Sequence, residues 1–191
     1  MLHLVSHPNN PLTRVCRGAG ADTTSIGMRA CLYFVAKYPD VYRKLQAEVD
    51  QFYTDNKLDR PISYVETQRL PYLQAVVKEC TRLFPSIVYQ LLRYAPNNFT
   101  VRGYKIPAGT HVGISPLAQN RDKEIWGQDA DEFHPERWMQ DEARTKYLDT
   151  STMTFGGNGP RMCVGRNIAL VSFLQSCDAS NANAVASDRA A

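Results

Sequence analysis

Apolar residues recur at helical spacing through the first part of the chain. Across residues 19–37, Ile26, Ala30, Tyr33 and Phe34 share one side, which predicts a helix that Pro39 stops. Asp40 then opens a second helix running to about Tyr53, with Val41, Leu45, Val49 and Phe52 pointing inward. Ser63 with Glu66 three residues on reads as a capping box for a short helix. Pro71 at a first-turn position opens another helix over 72–84, which Pro85 ends. The texture then changes. Residues 87–95, 99–106 and 110–115 are β-branched and aromatic runs, with turns at Gly103 and at Ala108-Gly109. Residues 116–154 read as short helices and loops, 156–159 as a glycine-rich loop, and 164–175 as a last amphipathic helix. The expected class is mainly α with a small β region (α+β).

Both ends depart from this pattern. In residues 1–18, Pro8 and Pro11 obstruct a helix, and Arg14 and Arg17 interrupt any apolar side. Residues 176–191 are small, polar and patternless, and are expected to be disordered. This leaves 19–175 as the folded domain.

Composition narrows the function classes. The 191 residues carry 22 Lys and Arg against 19 Asp and Glu, a net charge of +3, which is too weak to point to nucleic acid. The apolar runs at 30–36 and 168–174 are far shorter than the roughly 18 residues of a spanning helix. The start of the chain does not read as a signal peptide. The five cysteines (Cys16, Cys31, Cys80, Cys163 and Cys177) form no CxxC pair, which argues against structural zinc and for reduced thiols.

Three local patterns carry chemistry. In the run from Phe155 through Gly156, Gly157, Asn158, Gly159, Pro160, Arg161 and Met162 to Cys163, Val164 and Gly165, glycines let the backbone pass close to a bulky ligand. The run delivers Cys163 just ahead of a helix, whose N-terminus favours a thiolate. A thiolate in an apolar pocket is a haem-iron ligand candidate, and Arg161 is placed to pair with a haem propionate. The plain alternative is a flexible loop with a buried cysteine. In the second pattern, small residues at Ala19 and Gly20 precede an acid–alcohol pair, Asp22-Thr23, able to relay protons. A helix start capped by Asp22 is the alternative. Third, Glu79 and Arg82 share one side of a helix. Roughly one such ExxR occurs by chance in a chain of this composition. Here it precedes Leu83-Phe84-Pro85, and Arg137 in the segment Phe133-His134-Pro135-Glu136-Arg137-Trp138 is available to complete a triad.

In order and spacing these motifs resemble the C-terminal part of a cytochrome P-450, a haem-thiolate monooxygenase, of eukaryotic and fungal type. The resemblance covers about residues 19–175. It implies that Cys163 is the proximal iron ligand, that Arg161 and Arg93 partner the propionates, and that Phe155, Gly159 and Gly165 shape the loop. It further implies that Ala19 and Gly20 face the distal haem surface, that Asp22 and Thr23 help deliver protons to bound dioxygen, and that Glu79, Arg82 and Arg137 are a structural triad. The implied reaction consumes O2, placing one oxygen atom in a small organic substrate and the other in water. Ile87, Val88, Leu91 and Leu92 suggest an apolar substrate. The implied electron donor is a reductase. A longer eukaryotic relative would be expected at the endoplasmic reticulum membrane, though this chain shows no anchor.

Three departures from the family pattern stand out. The aromatic expected seven residues before the cysteine sits one residue earlier, at Phe155, as if one residue were inserted among Gly156, Gly157 and Asn158. The residues before Ala19 do not read as the family's apolar helix. After Gln175 the pattern stops. The fold is therefore expected to be incomplete at both ends, with weak haem binding and little turnover by the chain alone. Two other readings remain: a haem-thiolate protein that rearranges peroxides without O2, and a helical module without catalysis.

Overall fold

A computed structural model of the chain describes residues 11–188, with side-chain environments for residues 18–177. It is mainly helical, with two small β ladders. The long helix α1 spans Pro11–Lys37 and α2 spans Pro39–Asn56. A single turn, α3 (Tyr64–Thr67), precedes α4 (Pro71–Leu83). The ladders follow: β1 (Arg93–Tyr94) pairs antiparallel with β4 (His111–Val112), and β2 (Thr100–Val101) with β3 (Tyr104–Lys105). Then come α5 (Pro116–Gln119), α6 (Lys123–Trp126), a 3-10 turn at Pro135–Trp138, α7 (Glu142–Ser151) and α8 (Arg166–Asp188).

The local signals explain most of these elements. The α2 positions Val41, Leu45, Val49 and Phe52 are all buried, as their spacing requires. At α3 the capping box is present: the Glu66 backbone N–H donates to Ser63 Oγ, and the Ser63 N–H donates to Glu66 Oε2 at 2.8 Å. Pro71 occupies the first turn of α4, where its missing N–H has no intrahelical acceptor to satisfy. The β2–β3 hairpin turns on Arg102 and Gly103, both at positive φ, the geometry of a two-residue turn that follows the strand twist.

Several boundaries and orientations differ from the sequence reading. Residues 11–18 are helical rather than irregular and belong to α1. Pro8 lies outside the described residues. Helix α8 continues past Gln175 to Asp188, since small residues raise no barrier to propagating a helix already begun. The strands are far shorter than the β-branched runs, because each has a single partner. On α1 the inward residues are Gly27, Ala30, Cys31 and Val35, whereas Tyr33 is exposed and meets the edge of Phe34 at 5.3 Å.

The main core lies among α1, α2, α4 and α8. Closest approach is between α1 and α8 at Gly27. A Cβ there would fall 2.3 Å from Phe173 Cζ, so only glycine lets this ring seat. Phe133 stacks on Phe34 at 4.7 Å and lies tilted against Tyr38 at 5.0 Å, fastening the irregular segment before the 3-10 turn to the end of α1. A smaller core gathers Ala75, Trp126, Ala130, Trp138 and Leu148. Among the described residues no helix is long and apolar enough to cross a membrane.

Candidate haem-thiolate site

The firmest part of the site is the network around Glu79. This carboxylate is fully buried and accepts five hydrogen bonds. Arg82 donates Nε to Oε2 and Nη2 to Oε1, each at 2.8 Å. Arg137 Nε donates to Oε1 at 2.8 Å, the His134 backbone N–H to Oε1 at 3.0 Å, and Trp138 Nε1 to Oε2 at 2.9 Å. The three residues singled out in the sequence therefore meet, with Trp138 as a fourth member. The two guanidiniums also do what strands and helices do elsewhere, satisfying backbone carbonyls. Arg82 donates to the carbonyls of Asn120, Ala130 and Glu132, and Arg137 to those of Trp126 and Asp129. The irregular stretch between α5 and α7 is thus folded by two buried arginines. Asp129 Oδ2 receives Arg137 Nη2 at 2.9 Å; burial would raise this carboxyl, yet its bonds to His134 and Arg137 hold it below its ordinary value.

The sequence reading missed the residue that ties this network to the cysteine loop. Asn120 is fully buried, donates Nδ2 to the Arg82 carbonyl at 3.1 Å and accepts the Met153 N–H on Oδ1 at 2.8 Å. Thr154 Oγ1 adds a bond to the Thr81 carbonyl at 3.2 Å. A buried asparagine carries no signal in a single sequence, because its partners are backbone groups.

From Met153 the loop turns on glycines. Gly156, Gly157 and Gly159 all have positive φ. At Gly157 a side chain would also collide with Met153, since its Cβ would lie 2.9 Å from Sδ. Two consecutive left-handed glycines, Gly156 and Gly157, turn the chain at the place where the sequence reading expected an extra residue. The register is then fixed by the Cys163 N–H, which donates to the Phe155 carbonyl at 3.0 Å, and by the Met162 N–H to Gly159 at 3.1 Å. Phe155 packs against the main core, and the Arg166 guanidinium lies over its ring at 5.7 Å.

Cys163 is exposed rather than buried. A Cβ at Gly165 would stand 3.8 Å from the Cys163 Sγ, an ordinary contact. Arg161 is exposed, and within the described residues no hydrogen bond or ion pair engages it. Arg93, on β1, is also exposed and donates to the carbonyls of Leu91 and Leu92. Leu91 in turn lies close to Gly156, placing the strand start against the loop. Around the loop, Val88, Leu91, Leu92, Met162 and Val164 expose apolar surface, with Val164 fully exposed.

On α1, Asp22 is exposed and inside the helix, far from its start, so it is not an N-cap. Thr23 Oγ1 donates to the Ala19 carbonyl at 2.8 Å, the backward bond that competes with helical pairing. Ser25 Oγ donates to the Asp22 carbonyl at 2.9 Å, and Ser86 Oγ to the Thr23 carbonyl at 2.7 Å. Ser86 was not singled out for this role. It fastens the linker after α4 to the acid–alcohol segment.

Comparison with known proteins settles what this arrangement belongs to. Residues 13–175 match the family model described as Cytochrome P450. The chain belongs to the cytochrome P450 family. The match begins inside the N-terminal segment that the sequence reading set apart, in agreement with the helical residues found there. Relatives include several fungal proteins. The cytochrome P450 monooxygenase cicH of Emericella nidulans is 43% identical over 158 residues, covering 82% of this chain and 32% of the relative. The cytochrome P450 monooxygenase ACRTS1 of Alternaria alternata is 34% identical, covering 79% and 40%. A pisatin demethylase of Fusarium vanettenii is 37% identical, covering 81% and 29%. The chain therefore spans about a third of the length of these P450 relatives. They are named as monooxygenases or a demethylase, and the family implies oxidoreductase chemistry with haem.

The residues present fit a haem. An exposed thiol stands on a glycine loop, two residues after an arginine that no hydrogen bond or ion pair among the described residues engages, beside a rim of uncovered apolar side chains. This is the donor set, counter-charge and surface such a group requires.

Proposed function

We propose that this chain carries the thiolate-ligand loop and the acid–alcohol helix of a haem-dependent monooxygenase acting on a small apolar substrate. The observation that carries the reading is the Cys163 loop, fastened at Phe155 and through Asn120 to the Glu79 network, with its thiol and Arg161 left open. Cys163 would hold the haem iron, and Arg161 a propionate, with Arg93 as a further partner. When bound, haem supplies O2 activation, with electrons delivered by a partner reductase.

The chain's own residues have distinct tasks. The Phe155 carbonyl and the Met153–Asn120 bond fix where the sulfur stands. Ala19 and Gly20, exposed and half-buried, leave room beside α1. Asp22 takes a proton from solvent, and Thr23 Oγ passes it inward by giving up its bond to Ala19. Val88, Leu91 and Leu92 receive an apolar molecule and exclude water from it. With that surface uncovered and Cys163 open to solvent, haem affinity and turnover of the chain alone are low.

Thr23→Ala tests this reading. With reductase, NADPH and labelled O2, the haem-loaded protein should place one labelled oxygen in the product. Thr23→Ala should lose that reaction while retaining peroxide-driven oxidation. Equal loss of both, or unlabelled product, contradicts the proton-delivery role and favours peroxide chemistry.

A further inference from the structure

The end of α4 is fastened from three directions, at carbonyls that a helix C-terminus leaves without intrahelical partners. The Thr81 carbonyl accepts Thr154 Oγ1 at 3.2 Å, the Arg82 carbonyl accepts Asn120 Nδ2 at 3.1 Å, and the Leu83 carbonyl accepts Arg121 Nη2 at 2.6 Å. Two of these ties reach the Cys163 loop, since Asn120 also holds the Met153 N–H and Thr154 precedes Phe155. The same helix end reaches the acid–alcohol helix on its other side. Buried Pro85 stops α4, and half-buried Ser86 follows, donating Oγ to the Thr23 carbonyl at 2.7 Å. The linker then continues to the exposed Val88, Leu91 and Leu92.

Thr23 is an uncommon place for such a bond. Inside a helix each carbonyl serves the N–H four residues on, which for Thr23 is that of Gly27. The Ser86 hydroxyl takes the second lone pair. One turn earlier the Ala19 carbonyl accepts Thr23 Oγ1 at 2.8 Å. Two carbonyls one turn apart on the same side of α1 therefore each carry an added side-chain donor, an arrangement that tilts carbonyls outward and softens a helix. The donor at Ala19 belongs to α1 itself. The donor at Thr23 comes from the linker, so it fixes the softened turn to the end of α4.

We propose that Ser86 is a positioning residue for proton delivery: its bond to the Thr23 carbonyl sets the acid–alcohol segment against the Cys163 loop, both being held from the same end of α4. This rests on the reading of Thr23 as the proton-delivering group. Ser86 passes on no proton, because its own is committed to the Thr23 carbonyl. Without that bond the turn at Thr23 shifts relative to the loop, and the proton leaving Thr23 Oγ arrives out of place. O2 that has taken up two electrons and two protons then departs as hydrogen peroxide. In coupled turnover the same electrons and protons leave one oxygen atom in the product and the other in water.

Limited chymotrypsin digestion of the haem-free 191-residue chain reads the tie without any chemistry at iron. Tyr89 is 64% exposed and lies three residues beyond Ser86, so cleavage after it reports release of the linker from α1. Ser86→Ala should speed that cleavage about two- to tenfold, the equivalent of one lost hydrogen bond. Ser86→Thr keeps the hydroxyl and should stay near wild type. Cleavage after exposed Tyr147 on α7 should not change. Ser25→Ala is the control, because its hydroxyl bonds within α1, to the Asp22 carbonyl. In the haem-loaded protein with reductase and NADPH, Ser86→Ala should release more hydrogen peroxide per NADPH and Ser86→Thr should reverse this. In a Thr23→Ala background, Ser86→Ala should add nothing. Unchanged cleavage at Tyr89 in Ser86→Ala, or equal acceleration at Tyr147, overturns the tie and leaves the Thr23 reading standing. Faster cleavage with unchanged peroxide release, or a Ser86 effect that adds fully to that of Thr23→Ala, overturns the positioning role alone. A Thr23→Ala protein that releases no more peroxide than wild type overturns the Thr23 reading and this proposal together.

Discussion

Replacing Glu79 with glutamine should unfold this chain more readily than any exposed charge change. Glu79 Oε1 accepts three of its five hydrogen bonds and Oε2 the other two. Glutamine keeps one oxygen. At best it preserves the three bonds at the Oε1 position and points an NH2 at Arg82 Nε and Trp138 Nε1, both donors. The larger effect is charge. Arg82 and Arg137, 0% and 4% exposed, would keep their cations with Asp129 as the remaining carboxylate in contact. Removing one partner of a buried ion pair costs about 3–5 kcal/mol. That is a large fraction of the roughly 5–15 kcal/mol by which domains are stable. At about 2–4 °C per kcal/mol for a chain of this size, melting should fall by about 6–20 °C. Thermal unfolding followed by circular dichroism measures it. Arg43→Ala is the control, since it breaks an exposed pair with Asp40 and should change stability by no more than about 1 kcal/mol. If Glu79→Gln melts within about 2 °C of wild type, well under the cost of a broken buried pair, the network does not hold the fold.

Other expectations follow from single contacts. Asn120→Ala leaves the Met153 N–H and the Arg82 carbonyl without the partner Asn120 gave them. At about 1–3 kcal/mol per unsatisfied buried group, urea unfolding should shift clearly, and amide exchange at Met153 should accelerate. Gly27→Ala forces Phe173 to move and should cost about 1–3 kcal/mol by overpacking; Phe173→Leu in the same chain should recover part of it in the melting temperature. Glu66 is held at about 2 rather than 4.5, first by Arg60 and then by the Ser63 side chain and backbone. A depressed carboxyl stabilises above its unfolded value and loses that contribution as pH falls through its folded one. The stability difference between wild type and Glu66→Gln should therefore be full above pH 4.5 and fade towards pH 2; a difference that grows on acidification contradicts the assignment.

Much of this was legible in the sequence where local physics decides. The α2 face, the Ser63–Glu66 box, Pro71 at a helix start and the glycine loop each depend on neighbours within a few residues. The Glu79–Arg82–Arg137 triad was legible through motif order, although Arg137 lies far along the chain from Glu79. What escaped notice depends on tertiary partners. Tyr33 has helical spacing yet stays exposed, with only its helix neighbours Phe34 and Lys37 against the ring, whereas Gly27 looks like a helix weakness and is a contact point. Asn120 and Ser86 bond to distant backbone carbonyls that no pattern announces. Cys163 was expected in an apolar pocket, and the apolar side chains around its loop leave it exposed.

The most direct test of the haem-thiolate account is the reduced carbon-monoxide difference spectrum of the chain supplied with haem, beside Cys163→Ala. The account predicts a strongly red-shifted Soret band at low occupancy, and its disappearance in Cys163→Ala with the helical content unchanged. A band that survives Cys163→Ala, or a wild-type spectrum of a neutral-thiol or histidine ligand, would contradict it.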